Sequence, residues 1–323
     1  MAYTTKTEIP DEVNNYYVRT LLERLLPLLV HTKFGQVTDI PRKSGSNTIK
    51  WRRYNSLSAA TTPLTEGTTP DGSQLSVTDI TADVLQYGDF LLITDVVDYE
   101  SQDAVLTEAN QVLGEQAGLT LDELARNVLV AGTTVQYCDN RANRYLIIAS
   151  SLITANEIRE AVTTLSTNNA KKIRRMVNPS TGFNTTPINA AYIGIVHPKV
   201  SYTLKTLTGW VPVAAYPSQA DVIEGEIGSL DDVRFIETSE AKTWTAVAAS
   251  AAVAVYATLI LGQNAYGISR ISGEAMQSII KPLGSAGSAD PLNQRTTSGW
   301  KATFITKILD DNAMLRIEGS AAL

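Results

Sequence analysis

The sequence holds one cysteine, Cys138, and two histidines, His31 and His197, among 323 residues. A lone cysteine excludes an intrachain disulfide and fits a reducing compartment. Three such residues cannot assemble a Cys/His zinc site. A long apolar run is also missing. The most apolar stretch, "AVAASAAVAVYATLIL" (246–261), is 16 residues of mostly Ala and Val, below the ~20 residues that a membrane-spanning helix needs. It reads as a buried strand pair joined by a small-residue loop. The opening "MAYTTKTEIPDEVNNYY" is polar where a secretory signal would be basic and then apolar. A soluble chain with no membrane contact is expected.

Basic charge is absent from one long segment. Tyr54 to Ala125 contains no Lys or Arg and thirteen acids, whereas residues 1–53 carry nine bases against five acids. Such blocks form solvated faces, or surfaces of opposite sign that meet within one chain or between copies. The net charge of −6 argues against a dedicated nucleic-acid binder, which would show a dominant basic face. What is present is apolar material for a sizeable core, 44% of residues, enough for two domains or one elaborated domain.

The chain begins with an arm. Val18, Leu21, Leu22, Leu25, Leu28 and Leu29 have helical spacing, and Pro27 kinks or ends that helix. An arm with one apolar stripe needs a surface to lie on. Residues 46–95 read as a long two-stranded hairpin whose tip is rich in Thr, Pro and Gly, with Gly88 as a bulge or kink. A lone hairpin is marginal in water, so this one needs a surface too. Residues 103–131 form the clearest helix, with Leu106, Ala109, Leu113, Ala117, Leu121, Leu124 and Val128 along one face and Gly132 as a C-cap. Gly114 and Gly118 weaken such a helix and suggest that a strand crosses closely there.

A second helix starts at the capping box Thr154–Glu157. "AYIGIV" (191–196), "DDVRFIET" (231–238) and "AVYATLILG" (254–262) read as strands, and "HPKVSYTLKTL" as a short helix entered through Pro198. "GEAMQSIIKPL" and "GWKATFITKIL" read as late strands around a Gly/Ser/Pro-rich loop. The last is oddly hydrophobic for a tail. It is predicted to return to the core and pair with 274–282, placing Trp300 near the long helix.

Candidate chemistry is thin. Cys138 with His31 or His197 offers a thiol nucleophile and base, and a Cys-dependent hydrolase is the alternative function of another class. The acid pairs Asp231-Asp232, Asp310-Asp311 and Glu224/Glu226 lie in turn-like stretches. "GEIGS" (225–229) lacks the third glycine of a dinucleotide loop. "NTT" (184–186) is a glycosylation sequon without secretion. "KKIRR" (171–175) is a solvated loop or a partner for an acid block. No enzyme activity, cofactor or metal is expected.

The strings "LVHTKFGQV" (29–37), "ATTPLTEGTTPDG" (60–72), "VLTEANQVLGEQAG" (105–118), "VYATLILGQNAYG" (255–267) and "IIKPLGSAGSADPLNQRTTSGWKA" (279–302) carry a resemblance. The chain resembles the major capsid proteins of tailed bacteriophages, the N-four-like group in particular. That resemblance implies an α+β capsid fold of the Hong Kong ninety-seven type. Its expected parts are an N-arm (1–45), an E-loop hairpin (46–95), a P-domain (96–150) with spine helix 103–131, an A-domain (151–265), and C-terminal strands (266–323) returning to the P-domain sheet.

The implied function is self-assembly of hexamers and pentamers into an icosahedral virion shell around double-stranded DNA, with no sequence-specific binding and with a portal protein as partner. Such a chain would be made in the host bacterial cytoplasm. The alternative on the same fold is an encapsulin-like compartment. Only some forty-five residues precede the hairpin, so scaffolding is expected from a separate protein or not at all. A decoration protein is a further conceivable partner. A lysine crosslink donor in the hairpin is excluded unless it is Lys50, and no N-terminal maturation cleavage is expected. Between copies, Val18, Leu21, Leu22 and Leu25 are expected to bury a stripe. Lys50, Arg52 and Arg53 are expected to face Asp95, Asp98, Glu100 or Asp103.

Overall fold

The computed structural model describes residues 27–322 except 42, 44–45, 70, 101–104, 175–188, 219–221, 248–251, 273–275, 286 and 288–289. In chain order its elements are β1 (Gln36–Ile40), β2 (Thr48–Tyr54), β3 (Val77–Asp83), β4 (Leu85–Thr94), α1 (Asp95–Glu100), α2 (Val105–Val130), β5 (Val135–Tyr137) and α3 (Ala155–Thr167). They continue with β6 (Tyr192–Val196), α4 (Pro198–Leu204), β7 (Val211–Pro212), β8 (Glu226–Leu230), β9 (Val233–Glu237), β10 (Thr243–Val247), β11 (Ala252–Leu261), β12 (Tyr266–Ile271), β13 (Gln277–Lys281), β14 (Arg295–Ile308) and β15 (Met314–Gly319).

Two sheets organise these strands. The first runs β1-β12-β14-β13, with β4 on the other edge of β14. The second runs β5-β15-β11-β6-β9-β8-β7, with β10 on β11. The side-chain period of two explains the layers around the second sheet. Ile193, Ile195, Leu259 and Leu261 face Ala125 and Leu129 of α2. Tyr192, Val196 and Ile260 face the opposite way, onto Ile158, Ala161 and Leu165 of α3 and Val200 and Leu204 of α4. A strand such as β6, buried on both faces, is apolar throughout.

Local signals set several boundaries. Thr154 and Glu157 close a reciprocal capping box at the start of α3. Pro198 opens α4, capped by His197 Nδ1 accepting from Lys199 N at 3.1 Å. The strand pair predicted within 246–261 is the antiparallel pair β10–β11, whose first strand starts earlier, at Thr243.

The late strand is where it was predicted, and it does more. β14 pairs with β13 in the register Gln277↔Lys301 to Lys281↔Thr297, and with β4 from Arg295↔Thr94 to Phe304↔Leu85. It also crosses α2, where Trp300 and Ala302 pack on Leu113 and Ala117. Trp300 Nε1 donates to Gln116 Oε1 at 3.1 Å, and Gln116 Nε2 donates to Asp89 Oδ2 at 2.7 Å. Ser298 Oγ donates to Asn110 Oδ1 at 2.6 Å.

Six expectations are corrected. The hairpin is shorter than 46–95: β2 pairs β3 from Thr48↔Asp83 to Tyr54↔Val77, and β4 leaves to join β14. An apolar strand with Tyr87 and Ile93 facing inward gains more on the core sheet than on an exposed ribbon. Gly88 is no bulge, because the β4–β14 register is continuous; a Cβ there would lie 2.6 Å from the Trp300 carbonyl oxygen. Gly114 meets nothing, and Gly118 faces the Leu29 side chain, so the strand crosses at Ala117 instead.

Past Ala117 the fully buried positions on α2 are Ala125 and Leu129, with Leu121 and Leu124 packed beside them as predicted and Val128 replaced by its neighbour, because the helix passes from the first sheet to the second. Gly132 has no left-handed backbone. The carbonyls of Val130 and Gly132 instead accept from Arg316, which suits the negative end of a helix. Finally, the end of the chain does not stay in the first sheet. β15 lies between β5 and β11 of the second, wholly buried.

Replacing Trp300 by Ala removes the indole contact at the crossing and strands Gln116. The expected loss is about 3–5 kcal/mol, read from urea unfolding. A loss below about 1 kcal/mol would show that the crossing is not a principal support.

Candidate functional site

The residues that could carry catalysis are committed to structure. Cys138 is fully buried, and burial, then the nearby Glu157 charge, pushes its thiol well above the usual range. That suppresses the thiolate a nucleophile needs. His31 Nδ1 lies 2.7 Å from Asp122 Oδ2, both buried, which pins the later part of the arm to α2. His197 caps α4, and burial lowers its pKa. Asp231 pairs with Arg159 at 3.0 Å and Asp232 with Lys172 of the "KKIRR" run at 2.7 Å. Asp310 pairs with Arg53, and Asp311 accepts from Thr133 N at 3.0 Å.

Glu224 takes Lys33 at 2.8 Å, and that bond holds its carboxyl below the usual range. Glu226 is buried against Arg234 at 2.6 Å and Tyr216 at 2.8 Å. Among the described residues no group of three or more His, Cys, Asp or Glu could hold a metal, and no helix is long and apolar enough to cross a membrane. The "NTT" sequon lies outside the described residues.

The surface is where structure is left unfinished. Every described residue from Arg52 to Val77 is exposed. Within that loop Leu57, Leu64 and Leu75 stand 56%, 79% and 62% open to solvent. Its root is anchored by Ile49, Trp51 and Ala82 on Ile40, Val84, Ile271 and Ile305. The basic block of β2 meets the acidic block of β3 here: Asp79 takes Lys50 at 2.6 Å and Arg52 at 3.1 Å, and the Lys50 bond is the first cause of its lowered pKa.

A second open surface lies on the sheet face away from α2. Phe90, Leu92 and Ile279 line a groove of about 820 Å3 floored by Gly88 and Gly299, with Lys281 at its rim. A side chain at Gly299 would meet the Phe90 Cβ at 2.8 Å. Exposed apolar faces of this kind mark contact surfaces.

The predicted contact residues fall unevenly. Val18, Leu21, Leu22, Leu25 and Asp103 lie outside the described residues. Asp98 and Glu100 lie on α1, and Asp95 accepts from Val96 N at 2.9 Å. Lys50, Arg52 and Arg53 have partners in their own chain. The His31–Asp122 tie was missed, since nothing in sequence spacing links positions 91 residues apart.

Two measurements check the interior. A thiol reagent is expected to leave Cys138 untouched until the protein is denatured; rapid native reaction would contradict its burial. Burial also raises the Tyr266 hydroxyl above its ordinary 10.0. A raised group contributes stability below its unfolded pKa and loses it as pH rises, by up to about 1.4 kcal/mol per pH unit for one group. Alkaline unfolding past pH 10 is therefore expected, with Tyr266 ionising only as structure is lost. Ionisation of all tyrosines with an unchanged circular dichroism spectrum would refute this.

No protein-family model and no curated protein matches the sequence. Solved structures do. The capsid of Ralstonia phage GP4 aligns with TM-score 0.72 at 10% identity, covering 96% of this chain and 96% of that one. The Cyanophage Pam1 capsid asymmetric unit aligns with TM-score 0.71 at 14% identity, covering 96% and 97%. The head structure of Helicobacter pylori bacteriophage KHP40 aligns with TM-score 0.65 at 12% identity, covering 99% and 98%. Over nearly its whole length this chain has the fold of these phage capsids, the α+β capsid fold of the Hong Kong ninety-seven type.

Proposed function

We propose that this chain is a major capsid protein whose copies assemble, as hexamers and pentamers, into the icosahedral shell of a tailed bacteriophage around double-stranded DNA. The observation that carries this is the full-length likeness, in both directions, to chains that form phage capsids. The exposed loop 55–76 and the bare outer face of the β4–β14–β13 sheet support it, because both call for covering that the described chain does not give them. In this reading the hairpin of one copy lies over the spine-helix region, α2 and its sheet, of the next.

DNA is contained without sequence reading, and a chain of net charge −6 limits adhesion to it. A portal protein fills one vertex. Synthesis takes place in the host bacterial cytoplasm. Residues 1–45 serve as the arm, 96–150 with α2 as the P-domain and 151–265 as the A-domain.

Negative-stain microscopy of the purified chain is expected to show closed shells, and a stable monomer or dimer would count against the reading. Replacing residues 57–75 by a short Gly-rich turn is expected to abolish shells and leave the melting midpoint within about 2 °C, since none of the loop's described residues is buried.

A further inference from the structure

A basic groove at the root of the hairpin identifies the segment one copy offers the next; the inference rests on the shell-forming reading. The groove, about 540 Å3, is lined by Lys50, Arg52, Arg53 and Lys171 beside the Trp51 ring. Trp51 Nε1 is shielded from solvent and has no hydrogen-bond partner. Two carboxylates, Asp79 and Asp310, answer these bases within the chain. Four bases against two acids leave the groove with two positive charges in excess, in a chain whose net charge is −6.

Two nine-residue stretches carry four acids and no base: 224–232, whose acids are paired within the chain, and "DVVDYESQD" (95–103). Its first part is α1, which begins where β4 ends. There Thr94 is paired with Arg295, and Asp95 N donates to Gln294 O at 3.1 Å. The groove lies at the other end of the same strand, around Leu309 and Asp310, just past Ile308. The 14 residues of β14 separate the two, roughly 40 Å at the rise of a β-strand. The two patches therefore cannot meet within one chain. Complementary patches at opposite ends of one body make a head-to-tail contact, which closes into a ring when the rotation per copy allows.

We propose that the groove formed by Lys50, Arg52, Arg53 and Lys171 takes the acidic turn Asp95–Glu100 of a second copy. The turn is favoured over a nucleic-acid strand because it supplies one ligand per groove and lies at the opposite end of the same rigid strand. Its contacts are charge-assisted, so they set register and order of assembly more than they set affinity.

A charge swap in the full chain tests this. Arg52→Glu with Lys171→Glu, and separately Asp98→Lys with Glu100→Lys, are each expected to lower shell yield at least about tenfold at low salt. The four changes together are expected to restore it. Thermal melting of each chain monitors folding, and Arg52→Gln with Lys171→Gln replaces the reversal if that variant does not fold. Normal yield from either reversed pair, or no rescue by four folded substitutions, overturns the proposal. Shells that form normally from the groove variant and lose only co-purifying nucleic acid overturn it as well, by assigning the groove to phosphates. Absence of shells from the unaltered chain is a different result, and it removes the shell reading itself.

Discussion

The crossing of β14 over α2 is the contact on which the rest of the chain depends. Trp300 and Ala302 close on Leu113 and Ala117, and an alanine at the crossing point lets helix and strand approach. The strand then pairs with β4, β12 and β13. Beyond the crossing, α2 runs under the second sheet, and Arg316 of β15 holds its last carbonyls. One rod thus joins two sheets, and both are completed by the last thirty residues. Burial of large apolar groups supplies the stabilisation, and the Gln116 and Asn110 bonds supply register.

Around this interior the chain spends its charges locally. Glu318 is buried between Arg144, at 2.6 Å, and Arg316, at 2.7 Å, with Arg144 stacked on Trp244. Cys138 and His31 lie in the same kind of closed environment. Such groups gain position and lose reactivity, which directs attention from catalysis to the surface.

The surface has two kinds of unfinished edge. One is apolar: the loop beyond β2 and the outer face of β4, β14 and β13. The other is electrostatic: a basic groove and an acidic turn at opposite ends of one strand. An exposed ion pair contributes only about 0–1 kcal/mol. A closed shell repeats each contact in every copy, so weak contacts of fixed geometry suffice to specify it.

Sequence periodicity determined the elements whose signal is local. The capping box at Thr154, Pro198 at α4, the strand at the end of 246–261 and the alternation of "GWKATFITKIL" were all legible, because helix and strand periods depend on near neighbours. Specific strings also carried a resemblance to capsid proteins, and the fold agrees with it. What only tertiary structure decided is partnership. β4 carries the same alternation whether it pairs β3 or β14, and the choice follows from burial. Past Ala117 the fully buried positions on α2 are Ala125 and Leu129 because its neighbour changes. β15 reads as a polar-apolar mixture, "MLRIEG", yet it is buried because Arg316 and Glu318 find partners far away in sequence. His31 meets Asp122 for the same reason. Such contacts join residues remote in the chain, and no local pattern encodes them.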